Sequence, residues 1–253
     1  MKQLIKSFFK KKTKIEPYLP AGVRIYCIGD IHGCNQLLID LIKKIKIDSI
    51  GFSGQIMIIY LGDYIDRGNY SKEVIETLIT TPIAENIEHI YLRGNHEQTL
   101  LDFIQEDSVG RAWFSFGGLA TLVSYNVSIG KIPTKKADFK AIQQQLIEKL
   151  PDAHYQFLTK TTLSYSLGAY YFVHAGIYPG KSLAKQNPED MLWIRDDFIA
   201  SEKIHEKIIV HGHTVTDTPE LLNNRIGIDT GAYASGVLTC LVLEENQQRI
   251  LQT

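Results

Sequence analysis

At 253 residues the chain is long enough for one sizeable domain with a full core. Its 44% hydrophobic and 22% charged content is ordinary for a soluble globular protein, and a formal net charge of −1 argues against a nucleic-acid binder, because no global field would draw in a phosphate backbone. Three cysteines without a C-x-x-C pair (Cys27, Cys34 and Cys240) fit a reducing compartment, the cytoplasm, and no apolar run approaches the ~20 residues that span a membrane.

Residues 1–20 differ from the rest. Lys2, Lys6, Lys10, Lys11, Lys12 and Lys14 surround Leu4, Ile5, Phe8 and Phe9, without the long apolar core and cleavage site of a signal peptide. The segment reads as a solvated, partly ordered arm; the alternative is a short basic amphipathic helix touching anionic lipid or a partner. Residues 21–253 read as a single domain. Val23 to Ile28 is an apolar run expected to be a buried strand, and Gly29-Asp30-Ile31-His32-Gly33 follows it directly. The apolar spacing of Leu37, Leu38, Leu41, Ile42 and Ile45 predicts a helix over Asn35 to Ile47. Gln55 to Leu61 reads as a second strand, Ser71 to Ile79 as a helix with Ser71 as its N-cap, and Ile87 to Leu92 as a third strand. Strand, loop and helix in repetition predict parallel strands with right-handed crossovers.

The rhythm changes over residues 98–160, which read as a helical insertion. Gln98 to Gln105, Arg111 to Tyr125 and Ala137 to Leu150 have helical spacing, broken at Gly117-Gly118 and punctuated by Pro133 and Pro151. Strands return at Thr162 to Leu167, Ala169 to His174, Lys207 to His211, Arg225 to Asp229 and Gly236 to Leu243, the first two as a hairpin.

Five loops carry chemistry: Gly29 to Gly33; Gly62-Asp63-Tyr64-Ile65-Asp66-Arg67-Gly68; Arg93-Gly94-Asn95-His96-Glu97; Val173-His174-Ala175-Gly176; and His211-Gly212-His213-Thr214. In open α/β sheets ligands bind at strand ends, so such loops describe one site. Asp30, His32, Asp63, Asn95, His174 and His213 form an oxygen and nitrogen donor set without thiolate, suited to Mn, Fe, Zn or Ni. Six groups exceed one tetrahedral ion and suffice for two divalent ions if a carboxylate bridges. Arg67 and Arg195 can clamp phosphate oxygens; His96 can protonate a leaving alkoxide, oriented by Asp66. His89, His154 and His205 read as surface or structural residues. His211 stands evenly between a neighbour of the metals and a strand-end residue, and Asp229 reads as turn chemistry or as a support behind the ligands rather than as a ligand. Trp113 and Gly117-Gly118 can shape a pocket, although packing explains them equally well.

The motifs G-D-x-H-G, G-D-x-x-D-R-G and G-N-H-E, with the later His174, Arg195 and His213, resemble the calcineurin-like metallophosphoesterase superfamily over about residues 23–245. Within it the chain is most similar to small bacterial and phage-type serine/threonine phosphatases of the phosphoprotein phosphatase branch. The resemblance implies a four-layer αββα sandwich with two central sheets. It implies that Asp30, His32 and Asp63 hold one metal and that Asp63, Asn95, His174 and His213 hold the second, most often Mn²⁺. His96 and Asp66 would be the acid dyad, Arg67 and Arg195 the phosphate clamp, and Tyr233 would lie over the site. The implied reaction is attack of a metal-bridging hydroxide on the phosphorus of a phosphorylated protein. The ending Ile228-Asp229-Thr230-Gly231-Ala232 is shared with symmetrical bis(5′-nucleosyl)-tetraphosphatases, which makes dinucleoside polyphosphate hydrolysis the alternative; Asp66 and Glu97 depart from those enzymes. Phosphotyrosine hydrolysis and a catalytically silent phosphoprotein-binding module are the lesser readings; against the latter, no ligand is missing.

Overall fold

The computed structural model describes residues 15–81, 87–130 and 135–253. The lysine-rich segment up to residue 14 lies outside the described residues, as does Pro133. The end of the expected arm is docked: Leu19 is buried and its N–H donates to the Glu245 carbonyl at 2.7 Å, and Ala169 N–H donates to the Tyr18 carbonyl at 3.0 Å.

Apolar runs buried on both faces make the central strands. The first half contains β1 (Val23–Ile28), α1 (Asn35–Asp48), β2 (Gln55–Tyr60), α2 (Ser71–Thr80) and β3 (Ile87–Tyr91). As the crossover pattern predicted, β1 pairs in parallel with β2, and β2 with β3. Five helices follow: α3 (Asn95–Gln105), α4 (Gly110–Ser115), α5 (Gly118–Ser124), α6 (Lys136–Lys149) and α7 (Asp152–Lys160). The expected helix over Arg111 to Tyr125 is thus split at Gly117, whose φ of 106° a side-chain-bearing residue rarely adopts.

The second half contains β4 (Ser164–Leu167), β5 (Tyr170–Val173), α8 (Pro188–Trp193), α9 (Asp196–Ile199), β6 (Ile208–His211), β7 (Glu220–Leu221), β8 (Arg225–Gly227), α10 (Ala232–Ser235), β9 (Thr239–Glu244) and β10 (Gln247–Gln252). One five-stranded sheet runs β10-β9-β1-β2-β3 and the other β4-β5-β6-β8-β7. The short β7 and the glutamine-rich edge strand β10 were not anticipated, because neither carries an apolar run. Ser71 is not a cap: Tyr70 occupies that position, and the Ser71 hydroxyl accepts the Asp66 N–H at 3.0 Å instead.

Three apolar layers separate four structural ones. Ile25, Cys27 and Ile59 of the first sheet meet Phe172, Val210 and Ile226 of the second. The outer face of the first sheet packs on α1 and α2 through Tyr26, Ile58, Leu41 and Ile75. The outer face of the second packs on α8 and α9 through Val173, Ile209, Met191 and Phe198. The chain therefore folds as the expected αββα sandwich. Its central parallel strands end on one side, and the polar loops project there. Among the described residues no helix is long and apolar enough to cross a membrane.

Candidate metal centre

Asp63 stands at the middle of the site. Its Oδ2 lies 3.4 Å from His32 Nε2 and 3.7 Å from His96 Nε2, and its Oδ1 lies 3.4 Å from His174 Nε2. Two groups of donor atoms, His32/Asp63/His96 and Asp63/His174/His213, each fall within 4.8 Å of one another. Asn95 joins the second, with Oδ1 2.9 Å from His174 Nε2. Asp30 is held beside them, its carboxylate accepting the His213 N–H at 3.0 Å. All six expected ligands therefore meet in one buried corner.

The backbone is bent to allow this. His32, Asp63, Asp66, Arg67 and His213 all have φ between 45° and 72°. Five such non-glycine residues at one place, each strained, mark a site rather than a packing requirement. A Cβ at Gly94 would overlap Asp63 Oδ1, and one at Gly212 would overlap Asp30 Oδ1. Those two glycines are needed for close approach, which the motif spacing alone could not explain.

Second contacts fix the imidazoles. His32 Nδ1 donates to the Ile65 carbonyl and His174 Nδ1 to the Leu61 carbonyl, both at 2.9 Å. Each ring therefore turns a bare Nε2 lone pair toward Asp63. Burial, only partly offset by Asp63, lowers the His32 pKa to about 3; burial also lowers His174, and burial with His174 beside it lowers His213 to about 2. Neutral imidazoles are the form that binds metal. Burial works against ionisation of Asp63, but His174, His96, His32 and His213 outweigh it and hold its carboxyl below the usual range.

The donor set fits a divalent cation on the structure's own terms. His174 Nε2 faces Asn95 Oδ1, His213 Nδ1 and Asp63 Oδ1, so acceptor meets acceptor. The buried His213 Nε2 has no hydrogen-bond partner among the described residues. Converging lone pairs and an orphaned imidazole nitrogen are costly unless a cation completes them.

Around this corner lie the remaining expected residues. His96 Nδ1 donates to Asp66 Oδ2 at 2.7 Å. Burial opposes charge on His96, yet Asp63 and Asp66 raise its pKa to about 9. Arg67 is half-buried, with its guanidinium 4.7 Å over the Tyr233 ring. Tyr233 in turn sits edge-on to His32 at 5.5 Å. Arg195 is exposed and donates from Nη1 to the His213 carbonyl at 3.2 Å. His211 is a strand-end residue: Nδ1 donates to the Gly212 carbonyl, and the ring packs edge-on against Phe198. Asp229 accepts the Gly231 N–H at 2.9 Å, as turn chemistry requires, and presses on Asp30.

Sequence reasoning missed three supports. Glu97, read only as a substrate marker, accepts the N–H groups of Asp63 and Tyr64 at 2.8 Å, Gly94 at 2.9 Å and Ile65 at 3.3 Å. Its place three residues after the Gly94 N-cap of α3 is half of a capping box, the Glu97 carboxylate accepting the N-cap N–H with no Gly94 side chain to complete the pair. Trp113 Nε1 donates to Asp66 Oδ2 at 2.8 Å, and Thr121 Oγ1 donates to Asp66 Oδ1 at 2.5 Å. Neither has a local signal.

Known proteins place this arrangement in a family. The family model described as calcineurin-like phosphoesterase matches residues 23–235. The bis(5′-nucleosyl)-tetraphosphatase PrpE [asymmetrical] of Halalkalibacterium halodurans is 28% identical over 229 residues, covering 86% of this chain and 89% of its own length. The serine/threonine-protein phosphatase 2 of Salmonella typhimurium is 31% identical over 227 residues, covering 85% and 90%. Among solved structures, a cold-active protein-tyrosine phosphatase from a psychrophilic Shewanella shares the fold with a TM-score of 0.56 at 15% identity, covering 95% of this chain and 84% of that one. The match spans most of the chain and the metal-binding corner lies within it, so the chain belongs to the calcineurin-like phosphoesterase family and is a hydrolase of phosphoric esters.

Proposed function

We propose that the chain works with two divalent cations as a phosphomonoesterase that removes phosphate from serine and threonine side chains of proteins. Asp30, His32 and Asp63 would hold one cation, and Asp63, Asn95, His174 and His213 the other. Mn²⁺ is the favoured occupant of this carboxylate and imidazole set, with Fe, Zn or Ni as alternatives. When bound, the cations neutralise phosphate charge and acidify a water enough to attack phosphorus at neutral pH.

The chain's own residues do the rest. Arg67, over the Tyr233 ring, and Arg195, bonded to the His213 carbonyl, orient the phosphoryl oxygens. Tyr233 braces Arg67 from below. His96 Nε2 delivers a proton to the departing oxygen while Asp66 fixes the ring through Nδ1.

The observation that carries the reading is the His96–Asp66 pair, braced by Trp113 and Thr121. A serine or threonine alkoxide is a poor leaving group and needs a positioned acid; the phosphate released from a polyphosphate does not. Residues 21–253 would act as one domain, with residues 98–160 as an insertion that supplies these braces. The free cysteines and sparse thiol content support a cytoplasmic setting.

Hydrolysis of dinucleoside polyphosphates is the second reading, favoured by the similarity to the tetraphosphatase relatives. Phosphate release from a phosphoserine/phosphothreonine peptide and from diadenosine tetraphosphate, side by side with Mn²⁺ and with chelator, separates the two. Chelator-sensitive turnover of the peptide in preference to the dinucleotide is expected. Turnover of the dinucleotide alone would overturn the phosphoprotein reading.

A further inference from the structure

The peptide unit joining Gly212 to His213 is gripped at both ends. Its N–H, that of His213, donates to the Asp30 carboxylate at 3.0 Å. Its carbonyl, that of Gly212, accepts the Thr214 N–H at 2.7 Å and the His211 Nδ1–H at 3.1 Å. The bond from Thr214 skips a single residue, and His213 between the two has a φ of 64°. A three-residue turn of that hand is rare and strained, so it persists only where its surroundings hold it. The Gly212 N–H is tied as well, donating to the His174 carbonyl at 2.8 Å. This short stretch therefore touches three of the proposed donors, Asp30, His174 and His213.

His211 takes no place in that donor set, and a second residue fixes its ring. Arg225 is almost wholly buried. Its Nη1 lies 3.4 Å from His211 Nε2 and 2.6 Å from Glu220 Oε2, and its Nη2 donates to the Ile199 carbonyl at 3.4 Å. A guanidinium carries donors and no acceptor, so His211 Nε2 accepts and the ring proton stands on Nδ1, facing the Gly212 carbonyl. In the other tautomer two lone pairs would face each other there. The ring has little room to turn away. It packs edge-on against Phe198 at 5.0 Å, and a Cβ on Gly227 would come within 3.1 Å of its Cε1. Burying a guanidinium is costly, and its partner Glu220 stays partly exposed. An aliphatic side chain would fill the space without that cost, but it would lack the donor that orients His211.

We infer that His211 and Arg225 are positioning residues of the metal centre: Arg225 aims the His211 ring, and His211 holds the Gly212–His213 peptide in the strained turn that presents His213 and Asp30 to a divalent cation. The inference rests on the reading that this corner binds such cations. Neither residue touches the cation; both act through the backbone carbonyl of Gly212.

Mn²⁺ titration of the metal-free chain by calorimetry, with the Tm of the metal-free protein measured beside it, tests this. His211→Phe keeps a ring and removes the Nδ1 donor, and affinity for one cation should fall about 10- to 100-fold. His211→Asn puts an amide N–H near the place of Nδ1–H and should recover most of that loss. Arg225→Met should weaken the same cation by less, and it serves if His211→Phe does not fold. A lower metal-free Tm with unchanged Mn²⁺ affinity would make the pair a brace of the fold and overturn the inference. Equal losses in His211→Phe and His211→Asn would assign the effect to ring packing and overturn it too. If the wild-type chain takes up no divalent cation, the cation reading fails and the inference with it; uptake with unaltered affinity in every variant sinks the inference alone.

Discussion

Asp63 and His154 are both buried, and each takes part in a carboxylate–imidazole contact. His154 is complete: its Nδ1 meets the Tyr125 hydroxyl at 2.8 Å and its Nε2 meets Glu76 at 2.9 Å. The Asp63 corner is not. Four histidines crowd one carboxylate, acceptor atoms face each other, and His213 Nε2 has no partner among the described residues. The loop after β6 repeats the contrast within three residues, since both nitrogens of His211 have neighbours, the Gly212 carbonyl and the Arg225 guanidinium. Burial of polar groups is common to both corners. What separates a ligand site from a structural one is whether the protein itself satisfies the groups it buries.

This comparison can be broken experimentally, beginning with the largest effect. Removing the acid by His96→Asn should lower kcat by about 10²- to 10⁴-fold with little change in Tm. A near wild-type rate would dismiss His96 from the acid role. Glu97→Gln leaves every proposed ligand in place but weakens the acceptor that holds the Asp63 loop. Metal titration should show affinity reduced about 10- to 100-fold. Unchanged affinity would mean that the strained loop needs no such anchor.

At the complete corner the signs reverse. His154→Leu should cost about 1–3 kcal/mol of stability by stranding the buried Tyr125 hydroxyl, while kcat/KM of the folded enzyme stays within about twofold. Lost activity at full stability would make His154 functional after all. The smallest effect concerns His89, whose ring centroid lies 6.0 Å from those of Tyr60 and Tyr91, which stack on each other at 4.9 Å. Burial lowers its pKa below the ordinary 6.5. The folded state therefore binds that proton less readily than the unfolded chain. The resulting stability is present above about pH 6.5 and is lost as pH falls below it. In His89→Phe the fall in Tm between pH 7 and pH 5 should be shallower by about 1–3 °C. An identical slope would assign the acid sensitivity to other groups.

Strand ends and candidate donors were legible because each depends on a local pattern. An apolar run followed by Gly-Asp or Gly-Asn announces a buried strand and the loop beyond it. The supports of Asp66 were not legible, for Trp113 and Thr121 reach it from 47 and 55 residues away. Trp113 read equally well as pocket-shaping or as packing; the structure buries it fully and bonds its Nε1 to Asp66. Ser71 was misread because serine before a helix is a common cap; here tertiary contact with Asp66 claims its hydroxyl first. β10 was missed because an edge strand needs no continuous apolar face.

By itself, then, the sequence determined the parallel strand pattern of the first half and placed the candidate donors Asp30, His32, Asp63, Asn95, His174 and His213 in loops, while the sandwich followed from the family resemblance. Periodicity and side-chain chemistry are properties of short stretches. Only the tertiary structure decided which nitrogen each imidazole turns inward, that Glu97 holds the Asp63 loop, and that Phe116 and Trp193 meet beside His96. Those outcomes depend on backbone approaches between distant loops, set by left-handed residues and by glycines with no room for a Cβ.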